Sequence, residues 1–111
     1  TVILVHSAMA SSEVEHAAEI TGTVISTRST STSRGIKVCE ARIEIIGKWD
    51  KRNRVTIVGW SAVAETIEQL REGDRVRVLG RVQSRKMHTS GNEHEAIEIA
   101  VNALEELEDL T

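Results

Sequence analysis

At 111 residues, with no proline and only two aromatic residues, Trp49 and Trp60, the chain has room for one domain whose core must come from Val, Ile, Leu and Ala, a composition that favours strands. No run approaches the ~18 apolar residues of a membrane span, no signal-peptide pattern opens the chain, and a lone cysteine, Cys39, excludes an internal disulfide and predicts a reducing, cytoplasmic setting. The formal net charge of −3 hides a segregation: all fourteen basic residues lie between Arg28 and Lys86 against seven acids there, so a middle stretch of +7 sits between acidic flanks, a pattern that suits a polyanionic partner.

The elements follow from hydrophobic period. Residues 1–17 stand apart, with residues 1–5 read either as an extra edge strand or as foreign sequence ahead of a native start at Met9. Residues 19–25 form the first strand, with Gly22 marking a bulge or a close backbone approach. The Ser/Thr run 26–33, closed by Arg34-Gly35, reads as a mobile loop. Residues 36–46 form a long second strand with Cys39, Ala41, Ile43 and Ile45 on one face and Glu40, Arg42 and Glu44 on the other. A loop over 47–53 and a third strand over 54–60 come next. Ser61 then reads as the N-cap of a short helix with Val63, Ile67 and Leu70 on its apolar side and Gly73 as its stop. Residues 75–85 form the fourth strand, 89–92 a hairpin loop, and 96–104 the last strand, with Ile97, Ile99, Val101 and Ala103 in register. This order predicts an all-β fold, a five-stranded OB-fold barrel with one short helix between strands three and four. Residues 1–17 are then an N-terminal extension, 18–107 the barrel and 108–111 a short acidic end.

Strand alternation also predicts the chemistry. On the fourth strand Val76, Val78 and Val82 point to the core, and Arg75, Arg77, Arg81 and Arg85 share the opposite face with Leu79, Gln83 and Met87. Guanidinium groups in line match phosphate geometry, and their repulsion calls for neutralisation by a nucleic-acid backbone, by Glu40 and Glu44 of the second strand, or by solvent. On the third strand Val55 and Ile57 face the core, leaving Arg54, Thr56, Val58 and Trp60 outside. A Trp beside cations is a stacking platform beside an electrostatic track, where each stacked base is worth ~1–3 kcal/mol. The competing reading places Trp60 in a core or an interface. In the 47–53 loop, Trp49 lies among Lys48, Lys51 and Arg52 and serves as a second stacking contact or packs against the barrel.

The segment Trp60-Ser-Ala-Val-Ala-Glu65, followed by Leu70-Arg-Glu-Gly73-Asp-Arg-Val-Arg-Val-Leu-Gly80-Arg-Val-Gln-Ser-Arg85-Lys86, resembles bacterial single-stranded DNA-binding proteins. There an aromatic precedes a Gly-Lys-x-Ala-Glu-like helix start, and a Leu-x-x-Gly-Asp-x-Val-x-Val-x-Gly-x-Leu pattern leads into a strand. Gly22 and Gly35 match family glycines on the first strand and ahead of the second. The resemblance covers residues 18–107 and is specific between 54 and 87. It implies sequence-nonspecific binding of single-stranded DNA in replication, recombination or repair, a homo-oligomer (dimer or tetramer), and replication or repair proteins as partners. Trp60 occupies the position of a base-stacking aromatic. Met87 stands where the family often has a stacking Trp, and Arg54 where another Trp or Tyr is common, so Trp60 is the one aromatic clearly retained at a stacking position. Arg75, Arg77, Arg81, Arg85 and Lys86 are expected to track phosphates, with help from Arg54, Lys48, Lys51 and Arg52. The family's long linker and acidic, Phe-terminated tip do not appear before Leu110-Thr111; a trimmed tail and a tail-less relative akin to primosomal and phage or plasmid members both fit.

Neither an enzyme nor a cofactor is expected. His6, His16, His88 and His94 have no metal-ligand spacing with Cys39, and no Gly-rich phosphate loop or nucleophile elbow occurs. The alternative function is an OB-fold protein-interaction module, a primosomal or scaffold subunit with weak nucleic-acid affinity. DNA binding predicts Trp60 exposed next to Arg54 and the fourth-strand arginines; the scaffold reading predicts it buried in a subunit interface.

Overall fold

The chain forms six strands and one helix: β1 (Val2–Leu4), β2 (Ala17–Ser31), β3 (Lys37–Ile46), β4 (Arg52–Trp60), α1 (Ala62–Glu68), β5 (Arg75–Thr89) and β6 (Asn92–Leu107). The computed structural model describes residues 2–4, 17–46, 51–89 and 91–108. The sheet runs β1-β6-β4-β3-β2-β5, and a further β5–β6 pairing closes β2 to β6 into a five-stranded barrel. This is the expected OB-type barrel, with its helix between the third and fourth barrel strands, β4 and β5. β4 and β6 run parallel; the other pairs are antiparallel. β1 lies outside the ring, paired along the edge of β6 from Val2↔Glu105 to Leu4↔Ala103, so residues 2–4 form the edge strand that is one of the two readings of residues 1–5.

The interior is filled as the alternation requires. Cys39, Ala41 and Ile43 of β3, Ile57 of β4, Val76 and Val78 of β5, and Ile99, Val101 and Leu104 of β6 form one buried cluster with Val24 of β2. Each fully buried Ile or Val contributes roughly 1.5–3 kcal/mol. Helix α1 packs Val63, Ala64 and Ile67 onto this cluster. Gly59 makes the seat: a Cβ there would stand 2.9 Å from Ile67 Cδ1. The ends of the helix differ from expectation. Ser61 makes no side-chain cap; it sits at φ 55° and its backbone N–H donates to the Lys37 carbonyl at 2.9 Å. The helix ends at Glu68, and Gly73, at φ 95°, instead turns the chain so that its N–H donates to the Val24 carbonyl at 2.9 Å. An ion pair between Lys37 and Glu68, joined by a 3.2 Å bond from Ser29 Oγ, ties the helix to β3 and β2. The mutual hydrogen bond raises the Lys37 pKa and lowers that of Glu68.

Further expectations are corrected along the strands. The Ser/Thr run is not a loop: residues 26–31 continue β2, paired from Ser26↔Arg42 to Ser31↔Lys37, because backbone bonding to β3 needs no apolar side chain. The bulge on this strand falls between Val24 and Ser26, while Gly22 answers a close approach, its absent Cβ lying 2.6 Å from Ile43 Cγ2. On β6, a register shift opposite Leu79/Gly80 pairs Ala103 with Leu79 and Val101 with Gly80, so Leu104 rather than Ala103 turns inward with the buried cluster. The β5–β6 hairpin also outruns the barrel, since β4 pairs with β6 only at residues 98–100. Val82 and Ile97, core positions by alternation, are therefore 38% and 71% exposed on this arm.

Candidate functional site

Reading the pairings across the strands gives the outer face row by row. One row runs Arg81 (β5), Ala100 (β6), Val58 (β4), Glu40 (β3), Arg28 (β2). The next runs Gln83, Glu98, Thr56, Arg42, Ser26. Each row takes four inter-strand steps around the barrel, and successive rows lie about 6.7 Å apart along a strand. On the other side of the first row Trp60 stands opposite Val38, which stands opposite Thr30.

Trp60 is 41% exposed on this face. It lies one row along and two strands away from Arg81 on one side and from Arg28 on the other. Arg54 is at the opposite end of β4, six residues or ~20 Å away, so Trp60 is exposed as the nucleic-acid reading requires but is not beside Arg54.

The arginine ladder of β5 does present one side, and acids meet half of it. Arg77 lies 3.4 Å from both Glu19 and Glu105. Arg85 donates to Glu40 Oε1 at 2.8 Å and lies 3.4 Å from Glu98 Oε2, while Gln83 Nε2 donates to Glu98 Oε1 at 2.9 Å. The strand order places β6 and β4 between β5 and β3, so the Arg85–Glu40 bond crosses both and draws the hairpin arm over the face. That crossing explains why Val58, on the outer side, is fully buried and why Glu98 is only 2% exposed. The Glu40 bond holds the Arg85 pKa above its ordinary value. Such a shielded carboxylate is tolerable because its oxygens are all engaged.

The other predicted contacts divide. Arg54 and Arg52 both lie 3.8 Å from Glu44. Lys86 falls on the opposite side of the arm from Arg85 by strand alternation and lies 3.7 Å from Glu93. Lys51 is exposed just before β4. The backbone of Met87 pairs with His94. Lys48 and Trp49 lie outside the described residues. Among the described residues no carboxylate comes within salt-bridge distance of Arg28, Arg42, Arg75 or Arg81. Alternation already puts Arg42 on the outward face of β3, whereas Arg28, in a segment read as loop, joins it there only through the β2–β3 register. Glu98 escapes sequence reasoning for a related reason: its place between Ile97 and Ile99 reads as an ordinary outward position, and the acid over the basic face appears only with β5 alongside. Among the described residues no group of three His, Cys, Asp or Glu could hold a metal ion, and no helix is long and apolar enough to cross a membrane.

Comparison with known proteins agrees with this architecture. A crystal structure of the wild-type single-stranded DNA binding protein from Thermus aquaticus superposes with a TM-score of 0.70 at 17% identity, covering 85% of this chain. The chain spans 41% of that protein's length. The SSB domain of a Synechococcus protein superposes with a TM-score of 0.64 at 22% identity, covering 89% of this chain and 97% of that one. No curated protein sequence gives a significant match. The model of the single-strand binding protein family matches residues 16–107, the closed barrel from its first strand to its last, and the chain therefore belongs to that family.

Proposed function

We propose that this domain binds single-stranded DNA without sequence preference across the outer face of β2 to β6, as a homo-oligomer acting in replication, recombination or repair. The observation that carries the reading is Trp60, 41% exposed on a sheet face two strands from Arg81, which has no carboxylate within salt-bridge distance among the described residues. Trp60 stacks a base while arginines track the phosphates on either side, the combination of contacts that nonspecific single-strand binders use. Arg75 and Arg81 reach phosphates directly. Arg77, Arg85 and Arg54 contribute after exchanging an acidic partner for a phosphate, and Lys48, Trp49, Lys51, Arg52, Lys86 and Met87 complete the candidate contacts. Family membership and the two superposed structures support the reading.

The test is titration of tryptophan fluorescence with oligo-dT at several salt concentrations, repeated for Trp60→Ala. The expected result is quenching, with log K falling by about 0.7 per phosphate contact for each decade of salt. Trp60→Ala removes most of the quenching and costs roughly 1–3 kcal/mol of affinity. Absence of binding at low salt overturns the reading and leaves the protein-interaction module in its place.

A further inference from the structure

The basic surface extends beyond β4 and β5. Arg28 on β2 stands opposite Glu40, and Arg42 on β3 stands opposite Ser26, so the two arginines are diagonal neighbours across the β2–β3 seam. That register puts their Cβ atoms roughly 7–8 Å apart on one side of the sheet. Between them opens a cleft of about 180 Å³, lined by Ser26, Thr27, Arg28, Glu40, Ala41 and Arg42. Both arginines are exposed, and neither has a carboxylate within salt-bridge distance among the described residues. The acid that lines the cleft, Glu40, already accepts the 2.8 Å bond from Arg85 and so has its charge compensated from the far side.

We infer that this cleft is a phosphate seat, a second contact site in which Arg28 and Arg42 hold a phosphodiester of the bound strand while the Ser26 hydroxyl donates to it. The inference rests on the single-strand reading and extends it. It adds a cationic contact on the β2–β3 side of the face to the one that Arg81 offers on β5, with the buried Ala100 and Val58 between the two. Arginine suits the seat because its planar fork offers paired donors to phosphate oxygens, which lysine does not.

The experiment measures oligo-dT affinity against salt for the unaltered protein, Arg28→Ala/Arg42→Ala, Arg28→Lys/Arg42→Lys, and Arg34→Ala as a control in the exposed 32–36 turn. Removing one phosphate-binding point flattens the log–log slope by about 0.7, so the alanine pair's deficit shrinks by about fivefold between 0.1 and 1 M salt. The lysine pair keeps most of the slope, and Arg34→Ala matches the unaltered protein. Thermal unfolding should be the same for all, since neither arginine has a folded-state acidic partner among the described residues. If the unaltered protein binds and the alanine pair keeps its full slope, or shares any loss with Arg34→Ala, the seat is wrong while the single-strand reading stands. If the unaltered protein fails to bind at low salt, both fall.

Discussion

Glu98 shows how one buried side chain can set what a charged face is able to do. Its carboxylate is 2% exposed and holds Gln83 and Arg85, so the arginine that sequence reasoning puts in the phosphate track is engaged by the protein's own acids. A polyanion must displace Glu40 and Glu98 to use Arg85, whereas Arg81 has no such competitor among the described residues. Glu98→Gln keeps an oxygen for Gln83 and removes the charge. On the proposed function it should tighten oligo-dT binding and steepen the salt slope by up to about 0.7, the value of one phosphate contact. Arg85→Ala should flatten that slope by less than Arg81→Ala does. Unchanged or weaker binding by Glu98→Gln, or a larger loss from Arg85→Ala, would show that Arg85 is not held back by these acids.

At the scale of elements, the docking of α1 on β4 depends on the missing side chain of Gly59. Val63 and Ile67 occupy the space that a side chain at position 59 would need. Gly59→Ala should therefore destabilise the fold by about 1–3 kcal/mol, as overpacking does, read as a lower midpoint in urea with little change in slope. An unchanged midpoint would mean that the helix shifts freely, contrary to the packing described. The strands and this helix were legible because their inward residues are apolar at the right period, as in Cys39, Ala41, Ile43 and Ile45, or Val63, Ile67 and Leu70. What was not legible lies where backbone pairing acts without that signal. Residues 26–31 are strand on the strength of their register with β3 alone, and the shift opposite Leu79/Gly80 swaps Leu104 for Ala103 inside. The arm of β5 and β6 misleads in the opposite direction: Val82 and Ile97 follow the core alternation but lie past the last pairing with β4.

On the scale of the whole molecule, closing the barrel rearranges the charge that the linear sequence separates. The basic middle and the acidic C-terminal flank become adjacent strands, bringing Arg77 to Glu105, Arg85 to Glu98 and Lys86 to Glu93. The +7 block thus does not survive as a +7 surface, and the cations left without acids among the described residues fall on several strands rather than on one. The same closure makes the ring complete without β1, since β5 pairs with both β2 and β6, while β1 only borders β6 at residues 103–105. A chain lacking residues 1–16 should therefore still unfold in one cooperative transition. Its denaturant slope should fall only slightly, because that slope scales with the surface exposed on unfolding and β1 is a three-residue strand outside the closed ring. Removing β1 also uncovers the β6 edge at Ala103 to Glu105, and an open edge invites pairing with another chain. Sedimentation of the shortened chain should show greater self-association than the full one at equal concentration. A broad, non-cooperative transition would mean instead that the edge strand belongs to the folding unit and that the barrel is not closed by β2 to β6 alone.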